Sequence, residues 1–207
     1  MGAVYDKVLD SGGDDNEFEV QIVRYKPEAI DSLCEKSKFS RKELQIMYRG
    51  FKQECPTGIV DEDTFKEIYS RFFPQGDSDS YAHYVFNTFD HDGNGTLSFE
   101  EFVIGLSVLA RGTMTERLEW AFNLYDINGD GLITREEMLN IISAIYELMG
   151  RFCEPSVYEN TTRDHVEMVF KKMDLNKDGV ISLDEFMDSC RKDENITKGM
   201  SMFDTVL

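Results

Sequence analysis

A twelve-residue pattern occurs three times in this chain, and no other feature restricts its fold as tightly. The copies run from Asp90 to Glu101, from Asp126 to Glu137 and from Asp174 to Glu185. Each has Asp at position 1, Asp or Asn at positions 3 and 5, and Gly at position 6. An aliphatic residue follows at 8, Ser or Thr at 9, and Glu at 12. Before each copy the apolar residues fall at helical spacing: Ala82, Val85, Phe86, Phe89; Leu118, Ala121, Phe122, Tyr125; Val166, Val169, Phe170, Met173. After each comes Phe102, Met138 or Phe186. Stripes of this period belong to amphipathic helices. Each copy is therefore a loop between two helices, and the chain is a repeat of one helix–loop–helix unit.

The loops carry the chemistry of a calcium site. Calcium is a hard cation that takes about six to eight oxygens, and such a loop offers them from positions 1, 3, 5, 7, 9 and 12. At positions 1, 3, 5, 7 and 12 the first copy has Asp90, Asp92, Asn94, Thr96 and Glu101; the next, Asp126, Asn128, Asp130, Leu132 and Glu137; the last, Asp174, Asn176, Asp178, Val180 and Glu185. Position 7 gives only a backbone carbonyl, which is why Thr96, Leu132 and Val180 differ so freely. Position 9 works through a water, which suits Ser98, Thr134 and Ser182. Glycine at position 6 (Gly95, Gly131, Gly179) permits the sharp bend. Glu at position 12 can grip with both oxygens, as calcium prefers. Three calcium sites are expected, with magnesium as a competitor at the one starting at Asp90. The repeat is identified as the EF-hand.

A fourth copy lies upstream and has lost its ligands. Aligned on Gly58 and Val60 at positions 6 and 8, it has Gln53, Cys55, Thr57 and Thr64 at positions 1, 3, 5 and 12. None is acidic, and Pro56 stiffens the backbone that would wrap an ion. Its helices are expected over 43–52 and 65–72. The loops then start at 53, 90, 126 and 174, and hands pair through their position-8 residues. The fold expected is all-α: four EF-hands in two paired lobes forming one compact globule, with a C-terminal amphipathic helix. The divisions are 1–22, polar and acidic; 23–110, the first pair with its inactive hand; 111–192, the second pair; and 193–207, the helix. The long last interval points to a surface loop around 150–160 that includes Pro155. Ser40 with Glu43, Thr113 with Glu116 and Thr161 with Asp164 read as capping boxes at helix starts.

Charge and cysteines narrow the function classes. Forty acidic residues against 22 basic give a net charge of −18, which opposes the phosphate contacts that dominate nucleic-acid affinity. No nucleic acid is expected as a partner. Cys34, Cys55, Cys153 and Cys190 have no zinc-ligand spacing, and the three histidines sit in no catalytic pattern. With no apolar run near about 18 residues and no signal-peptide pattern, a cytoplasmic, non-enzymatic protein is expected.

The stretch FKQECPTGIVDEDTFKEIY, with its Cys-Pro-inactivated first hand, resembles the neuronal calcium sensors. Within them, YRGFKQECPTG, FFPQGDSDSYAHYVFNTFD, RGTMTERLEWAFNLYDINGDG and MDLNKDGVISLDEF are most similar to the Kv channel-interacting proteins. The resemblance runs from about Val23 to Leu207. It implies an auxiliary subunit of Shal-type voltage-gated potassium channels. Such a subunit binds the channel's cytoplasmic N-terminus, modulates gating and surface expression, and meets the inner face of the plasma membrane mainly through the channel. Two departures stand out. The family's second hand is usually degraded and ends in Asp, whereas Asp90–Glu101 is complete. Met1-Gly2 permits myristoylation, but Asp6 stands where Ser or Thr is favoured.

Aromatic residues crowd the segment from Tyr48 to Phe102, more than one EF-hand pair can bury against itself. Some are expected to line a groove for a partner helix: Tyr48, Phe51, Lys52, Tyr69, Phe72, Phe73, Tyr84 and Phe89. Phe203, with Ile196, Met200, Val206 and Leu207, is expected on a tail that covers the groove. Trp120 is expected half-buried at the junction of the lobes. The competing functions are a calcium buffer, a membrane-switch signalling regulator, and a calcium-dependent transcriptional repressor, the last known in one branch of the resembled family.

Overall fold

The computed structural model describes residues 30–149 and 155–192. The acidic N-terminal segment and the C-terminal helix with Phe203 lie outside the described residues.

A short leading helix α1 (Ile30–Lys36) is followed by the first hand, α2 (Arg41–Glu54), β1 (Ile59–Asp61) and α3 (Glu62–Ser70). The second hand is α4 (Asp79–Phe89), β2 (Thr96–Ser98) and α5 (Phe99–Arg111). The third is α6 (Met114–Tyr125), β3 (Leu132–Ile133) and α7 (Arg135–Met149). The fourth is α8 (Pro155–Met173), β4 (Ile181–Ser182) and α9 (Leu183–Lys192).

Helix starts follow from short-range hydrogen bonds. Ser40 and Thr113 each accept the backbone N–H three residues on, and Glu43 and Glu116 reach back to the cap residue's N–H, completing both capping boxes. The third expected box is corrected: α8 begins at Pro155, so Thr161 lies inside it. The expected surface loop is likewise corrected from residue 155 onward. Proline fits the first helical turn, where its missing N–H would have had no acceptor, and no residue from Ser156 to Thr162 is a helix breaker. In the first hand α3 starts three residues before the expected Phe65, because the Asp61 carboxylate accepts the Thr64 N–H at 2.9 Å and caps it.

Hands pair as the position-8 residues require. Val60 faces Leu97 in the antiparallel β1–β2 ladder, and Ile133 faces Ile181 in β3–β4. Leu97, Ile133 and Ile181 are all buried. Each ladder is two or three residues long, too short to stand without the helices around it.

Core aromatic residues hold each lobe together. Phe86 and Phe99 are buried in the first lobe, Phe170 and Phe186 in the second. Full burial of each is worth roughly 1.5–3 kcal/mol relative to exposure. Phe99 meets Tyr48 and Phe51 edge-on, at centroid distances of 5.0 and 5.4 Å, and Phe122 meets Phe186 at 5.6 Å. The lobes join through α4, which packs on α6 and α7. There Phe89 meets Trp120 edge-on at 6.5 Å, and the Asp77 N–H donates to the Glu147 carbonyl at 2.9 Å. Trp120 is buried rather than half-buried, since Phe89 of the first lobe comes to rest against it.

Candidate calcium loops

Each loop lies between the end of one helix and the first turn of the next, so the fold fixes both its ends. In the second hand the Asp90 carboxylate accepts the N–H groups of Asn94 and Gly95, at 3.1 and 2.8 Å. The loop thereby curls around the position-1 side chain. Asp92 also accepts the Asn94 N–H, and Asn94 accepts the Thr96 N–H at 2.8 Å. Gly95 sits at φ 78°, in the left-handed region that glycine adopts without strain. Carboxylate oxygens of Asp90, Asp92 and Glu101 come within 4.8 Å of one another. Oxygens around one calcium ion lie about 2.3–2.6 Å from it, so about 4.8 Å spans opposite sides of the shell. These three residues can hold a single ion.

The third and fourth loops repeat the curl. Asp126 accepts the N–H of Asp130 and of Gly131 at 3.1 and 2.8 Å, and Asp174 accepts that of Gly179 at 3.1 Å. Asn128 and Asn176 accept the N–H two residues on, each at 2.8 Å, and Asp130 and Asp178 do the same at 2.9 and 3.0 Å. Short polar side chains that bond backbone two residues ahead are natural turn formers. Asp174 is buried, and its Oδ1 has no hydrogen-bond partner. An unpaired buried carboxylate oxygen carries a desolvation cost that a cation removes. The residues therefore fit the ion the sequence calls for.

Position 12 has a second role that the spacing also encoded. Ser98, Thr134 and Ser182 accept the N–H of Glu101, Glu137 and Glu185, at 3.2, 3.2 and 3.4 Å. Each glutamate returns a carboxylate oxygen to the backbone N–H of position 9, at 3.0, 2.8 and 3.0 Å. Positions 9 to 12 thus form the capping box of the outgoing helix, a pattern visible as Ser/Thr-x-x-Glu in the sequence. Read only as ligand positions, they had hidden it. Burial pushes the Glu185 carboxyl up, but the bonds from Ser182, Asn176 and Leu175 outweigh it, and its pKa lies below the usual value. The loop is built to keep that group ionised.

The first loop has a different interior. The Lys52 ammonium donates to the Pro56 carbonyl, and the Thr57 hydroxyl to the Ile59 carbonyl at 3.1 Å. A lysine charge and a hydroxyl therefore reach carbonyls of the segment where the other loops set carboxylates. Asp61, at position 9 of this loop, is engaged in capping α3.

The aromatic residues expected in a groove divide. Phe51, Tyr69 and Phe89 are buried; Tyr48, Lys52, Phe73 and Tyr84 are half-buried; Phe72 is 73% exposed. A lobe by itself could not cover these rings. Here α1 adds the buried Leu33, and α6 sets Trp120 on Phe89. No helix among the described residues is long and apolar enough to cross a membrane.

Residues 56–107 match the family described as an EF-hand domain pair, and residues 115–191 match a second family of the same description. The second stretch spans α6 to α9, the first begins just after α2, and together they cover more than half of the chain. Built of two EF-hand domain pairs with calcium-type loops, this chain belongs to the EF-hand proteins.

Proposed function

We propose that this protein is a non-enzymatic calcium sensor that holds three ions per chain and acts as a regulatory subunit of a Shal-type voltage-gated potassium channel. The observation that carries the stoichiometry is the gathering of Asp90, Asp92 and Glu101 within 4.8 Å, in the second hand, which in the resembled family is usually degraded. When bound, the ion supplies two positive charges against the three ligand carboxylates of each loop. The chain's own part is to curl each loop around its position-1 carboxylate and to tie each position-12 glutamate to the first turn of an outgoing helix. The first loop serves as scaffold, because the Lys52 ammonium engages its backbone, positions 1, 3, 5 and 12 carry no acid, and Asp61 at position 9 caps α3. Magnesium competes at the second hand.

The partner reading rests on the resemblance and on a partly exposed aromatic face. Phe72 stands out from the surface, with Tyr48, Phe73 and Tyr84 half-buried on the same lobe. An apolar helix from the channel's cytoplasmic N-terminus has the chemistry to dock there. The protein would then work at the inner face of the plasma membrane, held there through the channel.

Calorimetry tests both parts. Calcium titration of the full chain is expected to give three ions, and Glu101→Gln two, with about micromolar affinities. An unchanged stoichiometry in the variant overturns the second-hand site. A peptide of the channel N-terminus is expected to bind with calcium present, and no measurable heat at high peptide concentration overturns the channel assignment.

A further inference from the structure

We infer that Arg135, a residue of the third hand, lowers the calcium affinity of the fourth hand and so makes the two C-terminal sites unequal. The inference rests on reading the Asp174 loop as a calcium site. The third and fourth loops offer ligands of the same kind: Asp, Asn and Asp at positions 1, 3 and 5, a carbonyl at 7, a hydroxyl at 9 and Glu at 12. Ligand charge alone would give them similar affinities. Their surroundings differ.

Arg135 occupies position 10 of the third loop and opens α7. Pairing of β3 with β4 sets it beside the fourth loop, where its Nη1 donates to the Gly179 carbonyl at 3.1 Å. Its Nη2 stands 4.0 Å from Oδ2 of Asp174, the position-1 residue. The guanidinium is held in place rather than free to swing away. Its carbon lies 4.0 Å above the centre of the Phe170 ring, and its Nε is 3.6 Å from a Glu167 carboxylate oxygen. The equivalent positions of the second and fourth loops are Phe99 and Leu183, so the fourth hand returns no such charge to the third. Within the fourth loop itself, Lys177 stands where the other two have Gly93 and Gly129.

A fixed positive charge beside a ligand carboxylate stabilises that carboxylate without the ion and repels an incoming dication. Both effects weaken binding. The hydrogen bond to Gly179 acts the other way, by steadying the bend of the loop. Replacement by glutamine removes the charge, whereas lysine keeps it and gives up the forked geometry.

The test is a calcium titration of the full chain followed by NMR at the amides of Gly131 and Gly179, one in each loop. Arg135→Gln is expected to tighten the transition at Gly179 by about three- to tenfold, moving Gly131 much less. The gain should shrink in about 1 M salt, where the Debye length is near 3 Å. Arg135→Lys is expected to stay within about twofold of the parent protein. A Gly179 transition that is unchanged or weakened in Arg135→Gln, or a Gly131 transition that shifts equally, overturns the inference. If neither glycine of the parent protein responds to calcium, it is the calcium reading of the loops that fails.

Discussion

Gly76 sits where the two lobes approach closely, and substituting it gives a sharp test of how they are joined. It lies in the segment between α3 and α4. A β-carbon there would meet the Leu148 carbonyl oxygen at 1.9 Å, its carbon at 2.5 Å and the Glu147 oxygen at 2.8 Å. Ordinary carbon–oxygen contacts are about 3.3 Å or longer, so backbone must retreat by more than about 1 Å. Leu148 belongs to the last turn of α7, and no flexible side chain can absorb the shift. Overpacking of this kind costs about 1–3 kcal/mol. The neighbouring bond from the Asp77 N–H to the Glu147 carbonyl would be lost with it, adding about 0.5–1.5 kcal/mol. Gly76→Ala should therefore destabilise by about 1.5–4.5 kcal/mol, lowering Tm by roughly 3–18 °C for a chain of this size.

Two other glycines supply the controls. Gly50 lies on α2, and a β-carbon there would meet nothing within 4 Å, so alanine should stabilise by about 0.5–1 kcal/mol through helix propensity. Gly105 would set a β-carbon 2.7 Å from the Phe89 ring, which can tilt, so its variant should fall between. Melting curves in chelator, followed by circular dichroism, rank the three without interference from bound metal. If Gly76→Ala melts with the parent protein, the lobes are not joined through this contact.

Two further outcomes follow from local geometry. Lys177 holds φ at 63°, so Lys177→Gly should raise the unfolding free energy in chelator by about 0.5–1 kcal/mol; a loss in urea titration would refute left-handed strain at that residue. Arg111, then the Ser40 hydroxyl and N–H, hold the Glu43 carboxyl at about 2 against an ordinary 4.5. Because the folded value is the depressed one, the pair's contribution is present above the ordinary value and is lost as pH falls towards about 2. Glu43→Gln should flatten the fall of the urea midpoint across that window, and an unchanged slope would show that the ion pair is not what acid removes.

The sequence made the hands and their pairing legible because both depend on residues close together in the chain. Positions 1, 3, 5, 6 and 12 bond to one another, and position 8 needs only an equivalent residue in the neighbouring hand. Val60 opposite Leu97 and Ile133 opposite Ile181 therefore follow from spacing alone. Burial of the aromatic residues was not legible in the same way. Phe89 is covered by Trp120 and Phe65 meets Phe86 edge-on, and tertiary contacts of that kind have no fixed offset in the chain. The start of α8 was missed for a simpler reason: Pro155 breaks a helix when inside it and begins one when placed first.

The double use of position 12 bears on how such a protein can sense an ion at all. Oε2 of Glu101, Glu137 and Glu185 is committed to the N–H at position 9, where the hydroxyl also bonds it, at 2.8, 2.7 and 2.8 Å. In the third and fourth hands the other oxygen reaches back across the loop, Glu137 to the Asn128 N–H at 3.3 Å and Glu185 to those of Leu175 and Asn176 at 3.1 Å. One side chain therefore bonds the first turn of the outgoing helix and the beginning of the loop at once. Any force that draws the glutamate towards position 1 must draw that helix turn with it, because the capping box leaves little slack between them. A cap of this kind is worth about 1 kcal/mol, comparable to the coupling energies of about 1–3 kcal/mol that link distant sites. The hydroxyl at position 9 thus matters beyond its place in the ligand sequence. It sets how rigidly the position-12 carboxylate is tied to the first turn of the outgoing helix.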